Sequence, residues 1–509
     1  MTHTSRLSLL FLLLIVGCTV HHTATPPPEL PDAALTAKLE PLLHQLDAGG
    51  AFVSARVVDL TDHRELYATS PDEPVAPASN MKLQTGSAGL DRLGADHVFK
   101  TYLAMDGDDL WLVGTGDPGC GDDHIEAKYH RKTTSMLDDW SEALKARGIT
   151  QIKGKLYFYD GAFDDDLVEK SWGRSFLTDW YAAPVSGLNF NDNCVDVVAY
   201  PTDPGEPARL EVTPETAGNK IVNEATTARP GQKETVSINR DRDANIFTIK
   251  GIVTQRISLH SKPVTDPGEY FADALRTNLK SHGIEIAGPT TRASTALGGT
   301  PVPPADKIIS THETTFPDIL SRINKNSQNL FAEALSKYHG RAFAAVNGQD
   351  LPGSWKLGGD SVRAFLEKNH IDDSKLVYVD GSGLSHSNRV TTRLITDELA
   401  VMYRHPDHEV YFNSLAVGGK DGTIGKRMDD LQGHVFGKTG FINGVRALSG
   451  YIKTRNDKWL TFSIIFNKLP GSVGPAEDVQ DNVCRVLVEW PKIENAKLKP
   501  VRATTRESE

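Results

Sequence analysis

The middle of the chain, residues 96–300, follows a different sequence pattern from the segments on either side of it. Gly-, Asp- and Pro-rich loops such as GTGDPGCGDD separate short candidate strands such as KLYFYD there. Residues 32–95 and 301–492 instead combine amphipathic helical patterns with alternating, strand-like runs. This arrangement predicts one α/β domain that is formed by the two outer segments and interrupted by a long insertion.

The insertion contains a weak internal echo. LDDWSEALKARGITQIKGKLYF and YFADALRTNLKSHGIEIAGPTTR each run from an amphipathic helix through a Gly-Ile turn into a strand. We therefore expect one or two smaller α/β units within residues 96–300. If there are two, the inner one would cover roughly residues 128–191.

The first residues carry the features of a bacterial export signal. One Arg precedes an apolar run, Leu7–Val16, which is too short to span a bilayer. The run ends in IVGC, which resembles a lipobox, so we expect a lipoprotein-type signal over residues 1–18 with the Cys18 thiol acylated. An ordinary signal peptide that is cleaved a few residues later is the alternative. Residues 19–31 predict a Pro-rich tether and residues 493–509 a polar tail, so we expect export to the periplasm and anchoring to a membrane.

Charge and motifs exclude several classes of partner. The 509 residues carry a formal net charge of -11 and no long Lys/Arg run, which disfavours nucleic acid as a partner. His124 and His130 lack the HExxH spacing of a zinc peptidase. The loop GTGDPGCGDD has no GK[ST], and no GxSxG occurs, so neither a phosphate loop nor an α/β-hydrolase elbow is indicated. The sequence predicts neither a metal nor another cofactor.

Three cysteines follow the export signal: Cys120, Cys194 and Cys484. Export permits disulfides, but an odd number leaves at least one thiol unpaired within the chain. A Cys120–Cys194 disulfide is the pairing we expect, and burial of all of them as free thiols is the alternative.

Ser79 and Lys82 form an SxxK pair in the stretch PASNMKLQTG. Pro77 disfavours helix in the residue before it, whereas the residues after Asn80 can form a helix, so Ser79 is expected near a helix N-terminus. Positions i and i+3 share a helix face, which would bring the lysine amine within reach of the hydroxyl. Serine needs such a base to become a nucleophile. By chance alone, about two SxxK matches are expected in a chain of this length, so the pair needs support from elsewhere.

Two further motifs supply that support. Ser327–Asn329 reads SQN between two amphipathic helical stretches, and Lys438–Gly440 reads KTG within a strand pattern. A glycine there would allow a ligand to lie close to the backbone. Ser237–Asn239 also fits SxN, but it lies in a polar, hairpin-like region, and we interpret that copy as chance.

The ordered set SxxK, SxN and KTG is typical of penicillin-binding proteins and class A β-lactamases. The chain resembles the class C low-molecular-mass penicillin-binding proteins, the D-alanyl-D-alanine carboxypeptidase/endopeptidase family. The resemblance runs through PASNMKLQTG, LVGTGDPG, AAPVSGLNFNDNCVDV, INKNSQNLFAEAL, DGSGLS and GKTG. It implies a penicillin-binding/β-lactamase-like transpeptidase domain, an antiparallel sheet flanked by helices, with a large insertion between the first two motifs.

The resemblance also implies a serine acyl-transfer reaction on peptidoglycan stem peptides, with β-lactam antibiotics as mimics. Ser79 would be the nucleophile, and Lys82 would accept its proton. Ser327, supported by Lys438, would relay that proton to the leaving amine. Asn329 would hold Lys82 or a substrate amide.

The KTG segment would bind the end of the substrate. Lys438 and Thr439 would contact its terminal carboxylate through charge-assisted hydrogen bonds, and Gly440 would let it approach the strand. The backbone N–H groups of Ser79 and Phe441 would form the oxyanion hole.

A pocket for the stem-peptide side chain is also implied. In the family, DGSGLS is often followed by Arg; here His386 follows, with Arg389 three positions later. Asp160 in FYDGAF would pair with a substrate amine, although a turn residue is an equal interpretation. Asn443, after KTGFI, is a third candidate for this pocket.

Two other functions remain open at this point. Tyr411–Asn413 reads YFN and fits the YxN element of class C β-lactamases and related esterases, so a β-lactamase or esterase on the same fold is the first alternative. A non-catalytic cell-wall-binding lipoprotein is the second. The presence of all three motifs argues against it, because each supplies a separate role.

Overall fold

A computed structural model describes residues 31–503. The export signal with Cys18, nearly all of the tether and the end of the tail lie outside the described residues. None of the helices within residues 31–503 is long and apolar enough to cross a bilayer.

The helices of this part of the chain are α1 Ala33–Leu43, α2 Met81–Leu93, α3 Asp123–Lys128, α4 Ser135–Ala146, α5 Pro267–Ser281, α6 Phe316–Asn324, α7 Asn329–Val346, α8 Trp355–Lys368, α9 Thr392–Met402, α10 His408–Ser414 and α11 Gly474–Glu489. The strands are β1 Phe52–Asp59, β2 Glu65–Thr69, β3 Val98–Asp106, β4 Asp109–Gly114, β5 Gln151–Ile152, β6 Leu156–Tyr159, β7 Cys194–Tyr200, β8 Arg209–Thr213, β9 Lys220–Thr227, β10 Ser237–Arg240, β11 Ile246–Val253, β12 Ile257–Ser258, β13 Lys262–Pro263, β14 Glu285–Ile286, β15 Thr290–Arg292, β16 Ile308–Thr315, β17 Ala416–Val417, β18 Val435–Ile442, β19 Val445–Lys453 and β20 Trp459–Asn467.

A six-stranded antiparallel sheet organises the outer segments of the chain. Its order is β17-β18-β19-β20-β1-β2, so the N-terminal hairpin pairs with the C-terminal strands. Helices α1 and α11 pack on one face, and α2, α6, α7, α8 and α9 contribute to the core on the other. This is the antiparallel sheet flanked by helices that the family resemblance implies.

Side-chain caps explain where several of these helices begin. Asp32 accepts a hydrogen bond from the backbone N–H of Leu35 and starts α1. Thr315, Ser354 and Thr391 do the same for α6, α8 and α9. Such caps satisfy N–H groups that have no partner within the helix.

The inserted region is built around a five-stranded mixed sheet with the order β15-β6-β4-β3-β16. The two echoing stretches lie side by side: β15 pairs in parallel with β6 in this sheet, and β14 pairs in parallel with β5 in a separate two-stranded sheet. Their helices α4 and α5 also meet, with the rings of Trp140 and Phe271 stacked 6.2 Å apart. The echo therefore forms one paired unit, which differs from the inner unit expected over residues 128–191. The smaller sheets formed by β7 to β13 lie between the two halves in the sequence.

Strand β16 shows that the sheet of the inserted region continues beyond residue 300, where the sequence pattern placed its end. Ile308–Thr315 pairs antiparallel with β3. The strand reads IISTHETT, and most of its side chains are half-buried, so it lacks a clear apolar alternation. The other domain boundaries stay predictions.

The expected Cys120–Cys194 disulfide is wrong, because Cys120, Cys194 and Cys484 are all free and buried. The Cys120 thiol donates to the Thr101 hydroxyl at 3.3 Å. Cys194 instead begins β7, where it is paired in register with Pro263. Burial raises the pKa of both the Cys120 and Cys194 thiols, which keeps them neutral.

Candidate active site

Ser79 lies in a short 3-10 turn, Ala78–Asn80, that leads directly into α2. The turn is pressed against the DGSG loop: a Cβ atom on Gly383, which has φ +83°, would collide with the Ala78 carbonyl oxygen. Ala78 itself adopts φ +48°, a conformation that costs energy for a residue with a side chain. Ser79 is thus held at a helix start by tight packing, the position that the sequence predicts for it.

Lys82 is completely buried one helical turn later. Its Nζ lies 2.9 Å from the Ser79 hydroxyl, and it donates to the Asn329 side-chain oxygen at 2.6 Å and to the Ser382 carbonyl at 2.9 Å. A neutral amine has two N–H donors and one lone pair. In that form it can keep its bonds to Asn329 and Ser382 while its lone pair accepts the Ser79 O–H.

The environment favours that neutral form. Burial lowers the pKa of Lys82 to about 7, and the charges of Glu333 and Asp380 limit the shift. Burial and the nearby Asp380 in turn raise the pKa of Glu333 to about 7. An amine that titrates near neutral pH suits a general base.

Glu333 is a functional residue that sequence reasoning missed. It is fully buried in α7, and its carboxylate accepts hydrogen bonds from the backbone N–H groups of Gly381 and Ser382 and from the Trp355 indole. It therefore orients the loop whose Ser382 carbonyl contacts Lys82. An acid within the apolar run LFAEAL was the available signal, since charged residues are rarely buried without a role.

Ser327 occupies the junction between α6 and α7 with φ +60°. Lys438 donates to the Ser327 hydroxyl at 2.8 Å and to the Thr439 carbonyl at 2.9 Å. Burial and the positive charges of Lys82 and Arg446 lower the pKa of Lys438 well below its usual range. The second and third sequence motifs are thus joined directly.

Gln328, the middle residue of SQN, connects this junction to the inserted region. Its side-chain oxygen accepts from the Asn329 backbone N–H at 2.9 Å, and its amide donates to Asp192 at 2.5 Å. Asp192 is also 3.2 Å from the guanidinium of Arg322. The sequence motif itself gave no signal for this role, because only its first and last positions are specified.

Hydrogen bonds of Asn80 hold strand β18 beside the turn that contains Ser79. Asn80 donates to the Lys438 carbonyl at 2.7 Å and accepts from the Ser449 hydroxyl at 2.8 Å. A Cβ atom on Gly440 would lie 2.7 Å from the Pro77 carbonyl and 3.1 Å from the Ser79 nitrogen. Only glycine permits this approach, which brings the strand that carries the Phe441 N–H next to the Ser79 N–H.

A cleft of about 600 Å³ lies above these groups. It is lined by the predicted Ser79, Ser327, Asn329, Thr439 and Phe441, and by the pocket candidates His386 and Asn443. Lys82 and Lys438 lie fully buried beneath its floor, in contact with the two serines. All three motifs therefore meet at one site.

Asp160 lies away from this cleft. It follows β6, where its carboxylate is 3.1 Å from the guanidinium of Arg292 and accepts from the Ser186 hydroxyl at 3.3 Å. Its carbonyl packs directly against Gly187. All of these contacts are with residues of the inserted region. They form because the chain after β6 packs against the segment that leads to β7.

Tyr411 is also away from the cleft. It is buried in the helical core, where its ring approaches Gly86 of α2. The YxN element that favoured a β-lactamase or esterase is therefore not assembled with Ser79 and Lys82.

The aromatic wall of the cleft comes from the inserted region and was not predicted. Phe176, Trp180 and Tyr181 line it, and the Tyr181 carbonyl accepts from the Asn329 side chain at 2.7 Å. The aromatic cluster in SFLTDWYAAP was the available signal. The insertion thus completes the site as well as extending the chain.

One group in residues 31–503 brings potential metal ligands together: atoms of Asp117, Cys120 and His312 lie within 4.8 Å of one another. Protein groups already satisfy the buried carboxylate, since Asp117 accepts from the Gly119 N–H and from the Thr314 hydroxyl, both at 2.8 Å. The geometry of the catalytic groups makes no use of this cluster.

The comparisons with known proteins agree with this geometry. A family model described as D-Ala-D-Ala carboxypeptidase 3 (S13) matches residues 35–489. The chain belongs to this family. As an S13 peptidase it is a serine hydrolase. The family and the enzyme class that the sequence predicts are therefore confirmed.

This S13 enzyme is also similar to individual proteins of known activity or structure. It is 31% identical over 500 residues to a D-alanyl-D-alanine carboxypeptidase of Actinomadura sp. (strain R39), covering 91% of this chain and 87% of the relative. It is 25% identical over 410 residues to the D-alanyl-D-alanine carboxypeptidase DacB of Haemophilus influenzae, covering 77% and 80%. The crystal structure of penicillin binding protein 4 (dacB) from Haemophilus influenzae superposes with a TM-score of 0.72 at 21% identity, covering 89% of this chain and 99% of that one. The predicted fold class is confirmed.

Proposed function

We propose that this S13 enzyme hydrolyses the peptide bond that follows the penultimate D-alanine of peptidoglycan stem peptides. It acts as a carboxypeptidase when the leaving group is D-alanine, and as an endopeptidase when the leaving amine belongs to a second stem peptide. The observation that carries the proposal is that Lys82 contacts both Ser79 and Asn329, while Lys438 contacts Ser327, and that both serines line one cleft.

In the first half of the reaction, Ser79 Oγ attacks the carbonyl carbon of the penultimate D-alanine, and its proton moves to neutral Lys82. The backbone N–H groups of Ser79 and Phe441 stabilise the negative charge on the carbonyl oxygen. Ser327, held by Lys438, relays this proton from Lys82 to the leaving nitrogen as the peptide bond breaks, which leaves Lys82 neutral again. The product is an acyl-enzyme on Ser79 and a released amine.

In the second half, water attacks the acyl-enzyme, and the same groups carry its proton to Ser79. Thr439 and Lys438 are the groups proposed to hold the terminal carboxylate, which explains a requirement for a free C-terminus. A β-lactam mimics this substrate, so we propose that it acylates Ser79 by opening of its ring. The penicillin binding protein 4 from Haemophilus influenzae has also been solved in complex with a β-lactam.

We also propose that the protein is exported to the periplasm and held at a membrane by a lipid on Cys18. The apolar run Leu7–Val16 and the following Gly17-Cys18 support this location. Metabolic labelling with a fatty-acid analogue tests it: the wild type should be labelled and Cys18→Ala should not. Equal labelling of the two would disprove the anchor at Cys18.

The activity is tested by mass spectrometry of muropeptides after incubation with the purified protein. Loss of one terminal D-alanine identifies carboxypeptidase activity, and conversion of cross-linked dimers to monomers identifies endopeptidase activity. Ser327→Ala should abolish both. Ser237→Ala is the matched control, because Ser237 begins the other SxN copy and is exposed on β10. Wild-type protein that leaves every muropeptide intact would overturn the proposed function.

A further inference from the structure

The edge of β18 beside Ser79 is open to an extended peptide. Strand β17 pairs only with Phe436 and Gly437, so the segment from Lys438 to Ile442 has no partner strand on that side among the described residues. A peptide can add to such an edge as an extra strand. If its terminal carboxylate lies at Thr439, the residues that precede the scissile bond extend towards Ile442 and Asn443.

One part of the cleft lining is apolar. Its wall consists of Phe176, Trp180, Tyr181, Leu384 and Ile442. Trp180 is 39% exposed and Phe441 is 56% exposed, so large apolar surfaces face the space that the substrate enters. Exposed apolar surface of this kind marks a binding groove for an apolar group.

Carboxylates are missing from this wall. Within the part of the chain that the structure describes, no Asp or Glu lines the cleft. Asp179, which precedes Trp180, is held by Lys262 at 2.8 Å and by the Tyr181 hydroxyl at 3.2 Å. Asp160, expected to bind a substrate amine, is paired with Arg292.

Basic residues do line the cleft. His386 is exposed at the cleft, and the Arg389 guanidinium donates to its carbonyl at 2.7 Å. Arg446 also lines the cleft and is ion-paired with Glu477. An ammonium group on the substrate would lose water here without gaining an anionic partner, which disfavours binding.

A polar cavity of about 420 Å³ adjoins the cleft and shares Trp180 and Asn326 with it. Two of its carboxylates have protein partners: Asp192 Oδ2 accepts from Gln328 and Arg322, and Asp196 accepts from Asn191 at 2.8 Å and from Ser261. Burial also raises the pKa of both, so Asp192 and Asp196 are poorly suited to provide the missing anion. The remaining carboxylate, Asp123, is exposed beside His124, whose Nε2 is 3.9 Å away.

From these contacts we infer that the cleft selects a neutral, apolar side chain on the residue before the two D-alanines, such as an Nε-acylated diamine, over the same side chain with a free ammonium group. The inference rests on the proposed function, since it concerns the substrate of that site. Phe176, Trp180 and Tyr181 are the residues that determine this specificity.

The test compares two peptides that differ by one acetyl group: Nα,Nε-diacetyl-L-Lys-D-Ala-D-Ala and Nα-acetyl-L-Lys-D-Ala-D-Ala. Release of D-alanine by the full-length protein near pH 7.5 gives kcat/KM for each, and we expect the diacetyl peptide to be preferred by about tenfold or more. Equal values, or preference for the free amine, would overturn the inference. Release from neither peptide would instead contradict the proposed function.

Phe176→Asp and Phe176→Asn make the test specific for charge. Phe176 lines the cleft but not the adjoining polar cavity, so a carboxylate at this position acts on the cleft itself. Relative to Asn, Asp should raise the ratio of free-amine to diacetyl kcat/KM about tenfold or more. Equal ratios for the two variants would contradict the role assigned to this wall. If either variant fails to fold, the wild-type comparison alone decides.

Discussion

At the scale of single residues, the central feature is a lysine whose amine is buried against the Ser79 hydroxyl, which we propose that it deprotonates. Lys82 has three partners and no exposure to solvent, and burial lowers its pKa to about 7. Glu333 opposes that shift through its negative charge. The balance between desolvation and the charges of Glu333 and Asp380 therefore controls how much of the neutral amine exists at a given pH.

We expect the rate of acylation by a β-lactam to rise with pH through about 7. Since only the deprotonated amine accepts the Ser79 proton, the rate should fall about tenfold per pH unit well below that value. Glu333→Gln removes one of the two negative charges that raise the Lys82 pKa, the other being Asp380, so the acid limb of this variant's pH–rate profile should move to lower pH. Stopped-flow measurement of acylation between about pH 5 and 9 checks both statements, and an unshifted limb in a folded Glu333→Gln variant would contradict them.

At the scale of elements, the site depends on how closely β18 approaches the start of α2. Asn80 joins the two through its bonds to the Lys438 carbonyl and the Ser449 hydroxyl. Gly440 makes the approach possible, because a side chain there would meet Pro77 and Ser79 backbone atoms at 2.7 and 3.1 Å. The proposed oxyanion donors are the backbone N–H groups of Ser79 and Phe441, so their spacing depends on this contact.

Gly440→Ala should therefore lower the acylation rate about 10²- to 10³-fold, the usual cost of losing one oxyanion donor. Gly437→Ala is the matched control on the same strand: its Cβ atom would meet Ser449 and Leu448 of β19 at 3.1 and 3.2 Å, away from the Ser79 turn. Both variants should melt at lower temperature than the wild type, but only Gly440→Ala should lose acylation to this extent. Equal loss of acylation in both would contradict the proposed role of this contact.

At the scale of the whole molecule, the chain brings together residues from both sides of its insertion. Ser79, Ser327 and Lys438 were predictable from sequence, because each belongs to a short motif whose residue types carry the chemistry. Asp160 was placed in the substrate pocket by resemblance, and its ion pair with Arg292 could not be read from local sequence. Glu333 and Gln328 were missed because their roles depend on contacts with distant loops.

The fold also has features that the sequence predicts and features that it does not. The helices and the antiparallel strands of the outer segments follow their periodic patterns, whereas the pairing of β16 with β3 does not, since IISTHETT has no clear alternation. The two halves of the sequence echo were recognised, but their side-by-side pairing depends on long-range strand register. The disulfide prediction failed for a similar reason. Composition and compartment permit a disulfide bond, but only the positions of the two thiols decide whether it forms.

We expect the three cysteines of the described residues to be free thiols that react only after unfolding. Cys120, Cys194 and Cys484 are at most 1% exposed, so the native protein should resist a thiol reagent. Denaturation without a reductant should then make all three reactive, and peptide mapping should find each modified. A Cys120–Cys194 peptide that is released only by reduction would contradict this expectation.

The most direct test of the account is to locate the penicillin adduct. The full-length protein is incubated with penicillin, digested, and mapped by mass spectrometry, with Ser79→Ala as the matched variant. We predict a covalent adduct on the peptide that contains Ser79 in the wild type and none in Ser79→Ala. An adduct on another residue, or equal labelling of a folded Ser79→Ala protein, would contradict the assignment of Ser79 as the nucleophile.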